Sequence, residues 1–180
     1  MMNTDFRSEL KTQLDDNTAA FENAAKAIDV AIVDIKPTPE RWSLAECVEH
    51  VYAVEKGIVR LLFLLGQGNE GANDRFAETL PYEKMQKVMQ NRNRYWEAPD
   101  FVQPKGTRGD WNTLLQKIIA QRQQLSEALN TPQGLPFGTA TAPHPYMGEL
   151  TMLDWLHLLI EHNKRHLLQM QEITEAISAT

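Results

Sequence analysis

Near the C-terminus, from Leu150 to Ile173, apolar residues recur at helical spacing in a run that fixes the class of fold open to this chain. At 3.6 residues per turn, Met152, Trp155, Leu159, His162, His166, Met170, Ile173 and Ile177 fall within an arc of about 80°. Two histidines interrupt this apolar stripe, and their i, i+4 spacing stacks both imidazoles on one face, close enough to bind one metal ion. A second stripe carries Cys47, His50, Val54, Ile58, Leu61 and Leu65 and so points a third histidine inward.

Two further amphipathic segments complete the set. From Thr4 to about Ile35, Phe6, Leu10, Leu14, Phe21, Ala24, Ile28 and Ile35 recur at steps of three, four and seven. Pro37 and Pro39 end that helix, and the short 36–42 connector predicts an antiparallel return. Ser43 with Glu46 three positions on is the capping-box pattern that opens the second helix, which should run from Leu44 to Leu65. Gly66, Gly68 and Gly71 then end it. A long connection follows to about Gly109, with a helix inside it marked by Tyr82, Met85, Val88 and Met89. Asp110 can cap a third long helix carrying Trp111, Leu114, Leu115, Ile118, Arg122, Leu125 and Leu129. The 130–145 region, with Gly134, Pro136, Gly138 and Pro143-His144-Pro145, reads as loop, and the fourth helix should start near Glu149 or Thr151. No stretch alternates as a strand would. Residues 1–180 therefore read as one all-α domain, a four-helix bundle whose long connection between helices two and three permits a crossover to a parallel neighbour.

Bulk properties narrow the function. With 42% hydrophobic and 23% charged residues, the 180-residue chain is neither disordered nor fibrous. A formal net charge of −6 argues against a phosphate-backbone binder, so no nucleic acid is expected. No apolar run approaches the length of a membrane span, and the N-terminus lacks a signal-peptide pattern. Cys47 is the only cysteine, which excludes an intrachain disulfide and suits a reducing cytoplasm.

Buried neutral histidines need partners for both ring nitrogens, and two on one stripe double that demand. A divalent metal meets it, since each imidazole gives one nitrogen to the ion and the other to a nearby oxygen. Three histidines leaving a vacant position is the pattern of a catalytic site, because closed structural sites have four protein ligands. The competing reading is a set of hydrogen-bonded core histidines without metal.

Other residues carry paired readings. Glu46, Glu49 and Glu161 lie near the histidines in sequence and could orient a ligand or act as a general base; solvated helix charge is the alternative, favoured for Glu49. Arg122 could meet an anionic substrate or a thiol's carboxylate, or snorkel to solvent. Arg165 reads as a surface ion pair, His157 as a surface or interface residue, and Trp42, Trp111 and Trp155 as core. His144 lies either at the mouth of the site or simply in a turn. Cys47 could touch a metal but fits a small buried hydrophobe better.

Trp42-Ser43-Leu44-Ala45-Glu46-Cys47-Val48-Glu49-His50, His144-Pro145-Tyr146-Met147-Gly148-Glu149-Leu150-Thr151, Trp155 and His162-Asn163-Lys164-Arg165-His166-Leu167-Leu168-Gln169 resemble the DinB-like family, the DNA-damage-inducible helical bundles with their YfiT-type members. The specific part is a helix-two histidine paired with a C-terminal HxxxH followed by glutamine. The resemblance implies an up-down-down-up bundle, with His50, His162 and His166 holding a divalent metal, nickel or zinc. It also implies a homodimer. The activity it implies is transfer of a low-molecular-weight thiol to an electrophile, with hydrolysis by a metal-bound water as the alternative. A non-catalytic bundle, stabilised by metal or docking a partner, is the remaining class.

Overall fold

The computed structural model describes residues 2–68, 75–91 and 97–179, with side chains from Phe6 onward. Four long helices build a bundle: α1 (Met2–Lys26), α2 (Leu44–Gln67), α4 (Trp111–Ala128) and α5 (Met152–Ser178). A short helix, α3 (Tyr82–Gln90), packs against α5, and two 3-10 turns lie at Val30–Ile32 and Asp100–Val102. Each of α1 and α2 packs chiefly on α4 and α5, so the first two helices occupy a diagonal of the bundle.

Side-chain contacts give the directions. Lys117 lies over the Tyr52 ring and Arg122 pairs with Glu55, so α2 and α4 run the same way. Asp15 meets Ser126 while Phe21 meets Arg122, so α1 runs opposite to α4. His50 lies beside His162 and His166, whereas a Cβ on Gly66 would meet Met152 at 3.6 Å, so α5 runs opposite to α2.

The first helix stops at Lys26, well short of the expected Ile35. Asp29 is extended, and its carboxylate accepts from Ala31 N to start a 3-10 turn instead. A helix competes poorly there, because Asp offers the backbone a local alternative and the neighbouring Ile28, Val30, Ile32 and Val33 are β-branched. Val33 is buried, and its carbonyl accepts from Ala45 N, which docks the segment on the start of α2.

Capping followed the sequence. Ser43 and Glu46 form both halves of the capping box on α2, and Asp110 accepts from Thr113 N on α4. Gly71, expected to help end α2, lies outside the described residues. A β-hairpin replaces the expected loop before the last helix, with β1 (Thr141–His144) antiparallel to β2 (Gly148–Thr151). Four residues per strand, one of them Pro143, are too few for alternation to be read. Thr151 closes the hairpin and caps α5 in a second box with Asp154, whose Oδ2 also accepts from Thr79 N and Oγ1.

Two apolar clusters fill the bundle. One includes Leu10, Leu14, Ile58, Leu62, Leu125, Leu156 and Leu159; the other includes Phe21, Cys47, Val48, Trp111, Ile118, Met170 and Ile173. Between them lies a belt of buried polar side chains: Asn17 on α1, His50 and Glu55 on α2, Arg122 on α4, and Glu161, Asn163 and His166 on α5. Burying so many polar groups costs free energy unless they pair or serve a ligand, so the belt locates the functional region.

Candidate metal centre

The seventh residue of the capped α2 is His50, and the two stripe histidines of α5 face it. His162 Nε2 lies 3.3 Å from His50 Nε2 and 3.1 Å from His166 Nε2. Two nitrogens on one tetrahedral zinc-type ion, at 2.0–2.1 Å each, stand about 3.3 Å apart. The spacing fits a shared ion.

The outer nitrogens fix the tautomers. His50 Nδ1 donates to the Val102 carbonyl at 2.9 Å, and His166 Nδ1 donates to Gln169 Oε1 at 2.8 Å. Both Nε2 atoms therefore present lone pairs toward His162. A proton on His162 Nε2 could satisfy only one of them, and His162 Nδ1 is itself buried without a hydrogen-bond partner. A cation between the three would satisfy all the Nε2 lone pairs, with Val102 O and Gln169 Oε1 orienting the rings. Burial lowers the pKa of His50, a shift the Val102 hydrogen bond opposes and the Arg108 charge reinforces. Burial, aided by the neighbouring His166, His50 and Arg165, holds His162 well below the ordinary histidine range. Neutral rings are the ligating form.

Beside the histidines opens a cavity of about 570 Å³. Its walls are mainly apolar, with Trp42, Val54, Ile58, Met89, Phe101 and Trp155 among them. His144 also lines it, packed 5.4 Å from the Trp155 ring. Tyr146 N donates to His144 Nδ1, so the proton sits on Nε2 and His144 contributes a neutral N–H donor. Burial lowers its pKa.

Other sequence candidates fall elsewhere. Glu46 bonds Ser43 N and pairs with Lys36, a helix-start role away from the histidines. Glu161 is buried, but it accepts from Tyr82 OH and Lys164 Nζ on the side of α5 that meets α3 and does not line the cavity. Arg122 neither reaches a ligand nor snorkels to solvent: it is enclosed, paired with Glu55 across α2 and α4 and stacked 4.9 Å from the Phe21 ring. Cys47 is buried with its sulfur 3.6 Å from His166 Nδ1, on the side turned from the other histidines.

Four readings are corrected. Glu49 is buried rather than solvated, because the loop after the 3-10 turn folds over it and four successive amides, Lys105 to Arg108, donate to its carboxylate. His157 is buried rather than at the surface, since α3 covers that side of α5 and stacks Tyr82 on the ring at 4.1 Å. Arg165 is half-buried rather than purely a surface residue: it donates to the carbonyls of Met89 and Asn91 and lines the cavity. Trp42 is not core but a half-buried cavity wall 4.9 Å from the His50 ring, whereas Trp155 and Trp111 are core as expected, Trp155 also lining the cavity.

Sequence reasoning missed Val102, whose role is a backbone oxygen that no side-chain pattern advertises. It also missed the aromatic rim, Phe101 and Tyr146, which are 73% and 52% exposed. A signal existed: both rings sit in proline-flanked segments, where an exposed aromatic has no packing reason.

Three imidazoles gathered from two helices of a bundle beside an apolar cavity could hold one metal ion. A sequence model of the DinB superfamily matches residues 13–170, and the chain belongs to that superfamily. The uncharacterized protein YuaE of Bacillus subtilis (strain 168) is 29% identical over 163 residues, 89% of this chain and 96% of YuaE. Among solved structures, TT2238, described as a four-helix bundle protein, matches with a TM-score of 0.52 at 20% identity, covering 92% of this chain and 98% of its own. YfiT from Bacillus subtilis, described as a probable metal-dependent hydrolase with an unusual four-helix bundle topology, matches at 0.57 and 14% identity, covering 96% and 87%. At these identities the two structures speak to the fold.

Proposed function

We propose that this protein is a divalent-metal enzyme, loaded with nickel or zinc, that joins a low-molecular-weight thiol to an electrophile. The observation that carries the reading is the pairing of three convergent Nε2 atoms with an apolar cavity whose described lining holds no carboxylate beside them. Its only lining carboxylates, Glu40 and Glu97, are exposed. Water activation normally asks for a nearby general base, whereas a thiol needs only to be held ionised. When bound, the ion would lower the pKa of a thiol at its open position and keep the nucleophilic thiolate at neutral pH. The chain supplies the rest. Trp42, Trp155 and Met89 exclude water and position the electrophile, and His144 offers an N–H to a polar group on it. The thiol proton passes to solvent when the thiolate forms, and as the sulfur–carbon bond forms the leaving group departs with the electron pair of the bond it breaks.

Hydrolysis is the second reading, favoured by the description of YfiT and by the same open position, which could hold water. Metal-loaded protein incubated with glutathione and an alkyl or aryl halide separates the two. The proposal expects thiol-dependent conjugate formation that disappears in His162→Ala. Turnover of an ester or amide panel without thiol, with no conjugate formed from glutathione and the halide, would favour hydrolysis.

A further inference from the structure

On a chain of formal charge −6, three cations, Lys56, Arg108 and Lys117, surround one hollow of about 330 Å³. Arg108 is committed to structure: it donates to Glu49 and to the carbonyls of Gln103 and Phe101. The two lysines are not neutralised. Lys117 Nζ donates to the Arg108 carbonyl and lies 5.4 Å from the Tyr52 ring centroid, and Lys56 Nζ lies 5.8 Å from the same ring. Neither forms an ion pair among the described residues, and each keeps N–H donors to spare. Two ammonium groups held over one ring repel each other unless an anion joins them.

Ala53 and Phe101 line both this hollow and the histidine cavity, so the two adjoin, with the largely exposed Phe101 ring as the ridge between them. His50 and Lys56 are six residues apart on α2, about 9 Å along the axis and about 120° apart around it, so a ligand that reaches both sites must be extended and bend over Phe101. A tripeptide spans on the order of 10 Å.

We propose that the Lys56–Lys117 hollow is a second subsite that binds a carboxylate of the thiol substrate while its sulfur lies at the histidines, and that the substrate is a peptide-like, carboxylate-bearing thiol lying across Phe101. The inference rests on the thiol-transfer reading and names its substrate class. It also accounts for Phe101: an exposed ring that a bound chain covers.

The test is calorimetric titration of the purified protein with S-methylglutathione, a thioether that keeps two carboxylates and cannot react. The wild type should bind it saturably and more weakly as salt rises. Binding should weaken at least tenfold in Lys56→Glu/Lys117→Glu, and severalfold in Lys56→Glu, an exposed position whose change leaves the Arg108 loop intact. His162→Ala should bind as the wild type does. Equal binding in wild type and both lysine variants, or no binding in the wild type, would overturn the subsite. Lysine-dependent binding without thiol consumption by the metal-loaded protein would uphold the subsite and overturn thiol transfer instead.

Discussion

The Val102 carbonyl oxygen accepts a 2.9 Å hydrogen bond from His50 Nδ1, and this contact turns Nε2 toward the α5 histidines. Val102 is held in place from the residue that precedes His50 on α2, Glu49. Glu49 gathers the amides of Lys105, Gly106, Thr107 and Arg108, and a positive φ of 66° at Gly106 lets them converge on one carboxylate.

Glu49→Gln should therefore loosen the loop and weaken metal binding on the order of tenfold, the usual effect of losing an orienting partner. Stability at neutral pH should fall by about 1–3 kcal/mol, since bonds to a charged acceptor become bonds to a neutral one. Burial alone would raise the Glu49 pKa, but the four amide donors outweigh it and hold the carboxyl below its ordinary value. The unfolded chain then takes up the proton first as pH falls. The stabilisation is present above the ordinary glutamate pKa of about 4.3 and is lost as pH drops through the lower folded value. Urea denaturation of wild type and variant should show a gap at pH 7 that narrows below about pH 4.

Arg122 and Glu55 give a purely structural prediction. Both side chains are enclosed, and Arg122 Nε donates to Glu55 Oε2 at 2.9 Å. Arg122→Met leaves a buried carboxylate unpaired and should cost about 3–5 kcal/mol, whereas Arg122→Met with Glu55→Leu should recover most of it. Thermal or chemical denaturation of the two variants checks this, and metal content per folded chain should stay unchanged.

His157 should contribute to acid sensitivity beside the lowered histidines of the site. Burial, only partly offset by Asp154 and Glu161, pushes its pKa down to about 4. Between that value and the ordinary 6.5 the unfolded chain binds a proton that the folded chain does not, so stability falls as pH drops through this window. The full loss is about 3 kcal/mol. His157→Phe keeps the stack on Tyr82 and removes the titration, so its stability should vary less with pH between 6.5 and 4 than that of the wild type.

The bundle was legible because burial on one face imposes a helical period, and the caps at Ser43, Asp110 and Thr151 mark where three of the long helices begin. The histidines were legible for the same reason: they stand on apolar stripes. What escaped depends on contacts between distant segments. His157 and Glu49 look like surface residues on their own helices and become buried only when α3 and the 100–108 loop fold over them. Arg122 stood out as an odd stripe member, but its partner lies 67 residues away on α2. The β-hairpin and the early end of α1 turn on a few local hydrogen bonds, which are too short-ranged to leave a periodic signal.

Convergence of His50, His162 and His166 on one divalent ion is the claim on which the functional reading stands. Elemental analysis of purified protein tests it directly, with His50→Ala and His162→Ala variants first shown by circular dichroism to be folded. The account predicts close to one nickel or zinc ion per chain in the wild type and loss of that ion in both variants. Folded wild type that stays empty after incubation with nickel and with zinc would contradict it and leave the three histidines as hydrogen-bonded core residues.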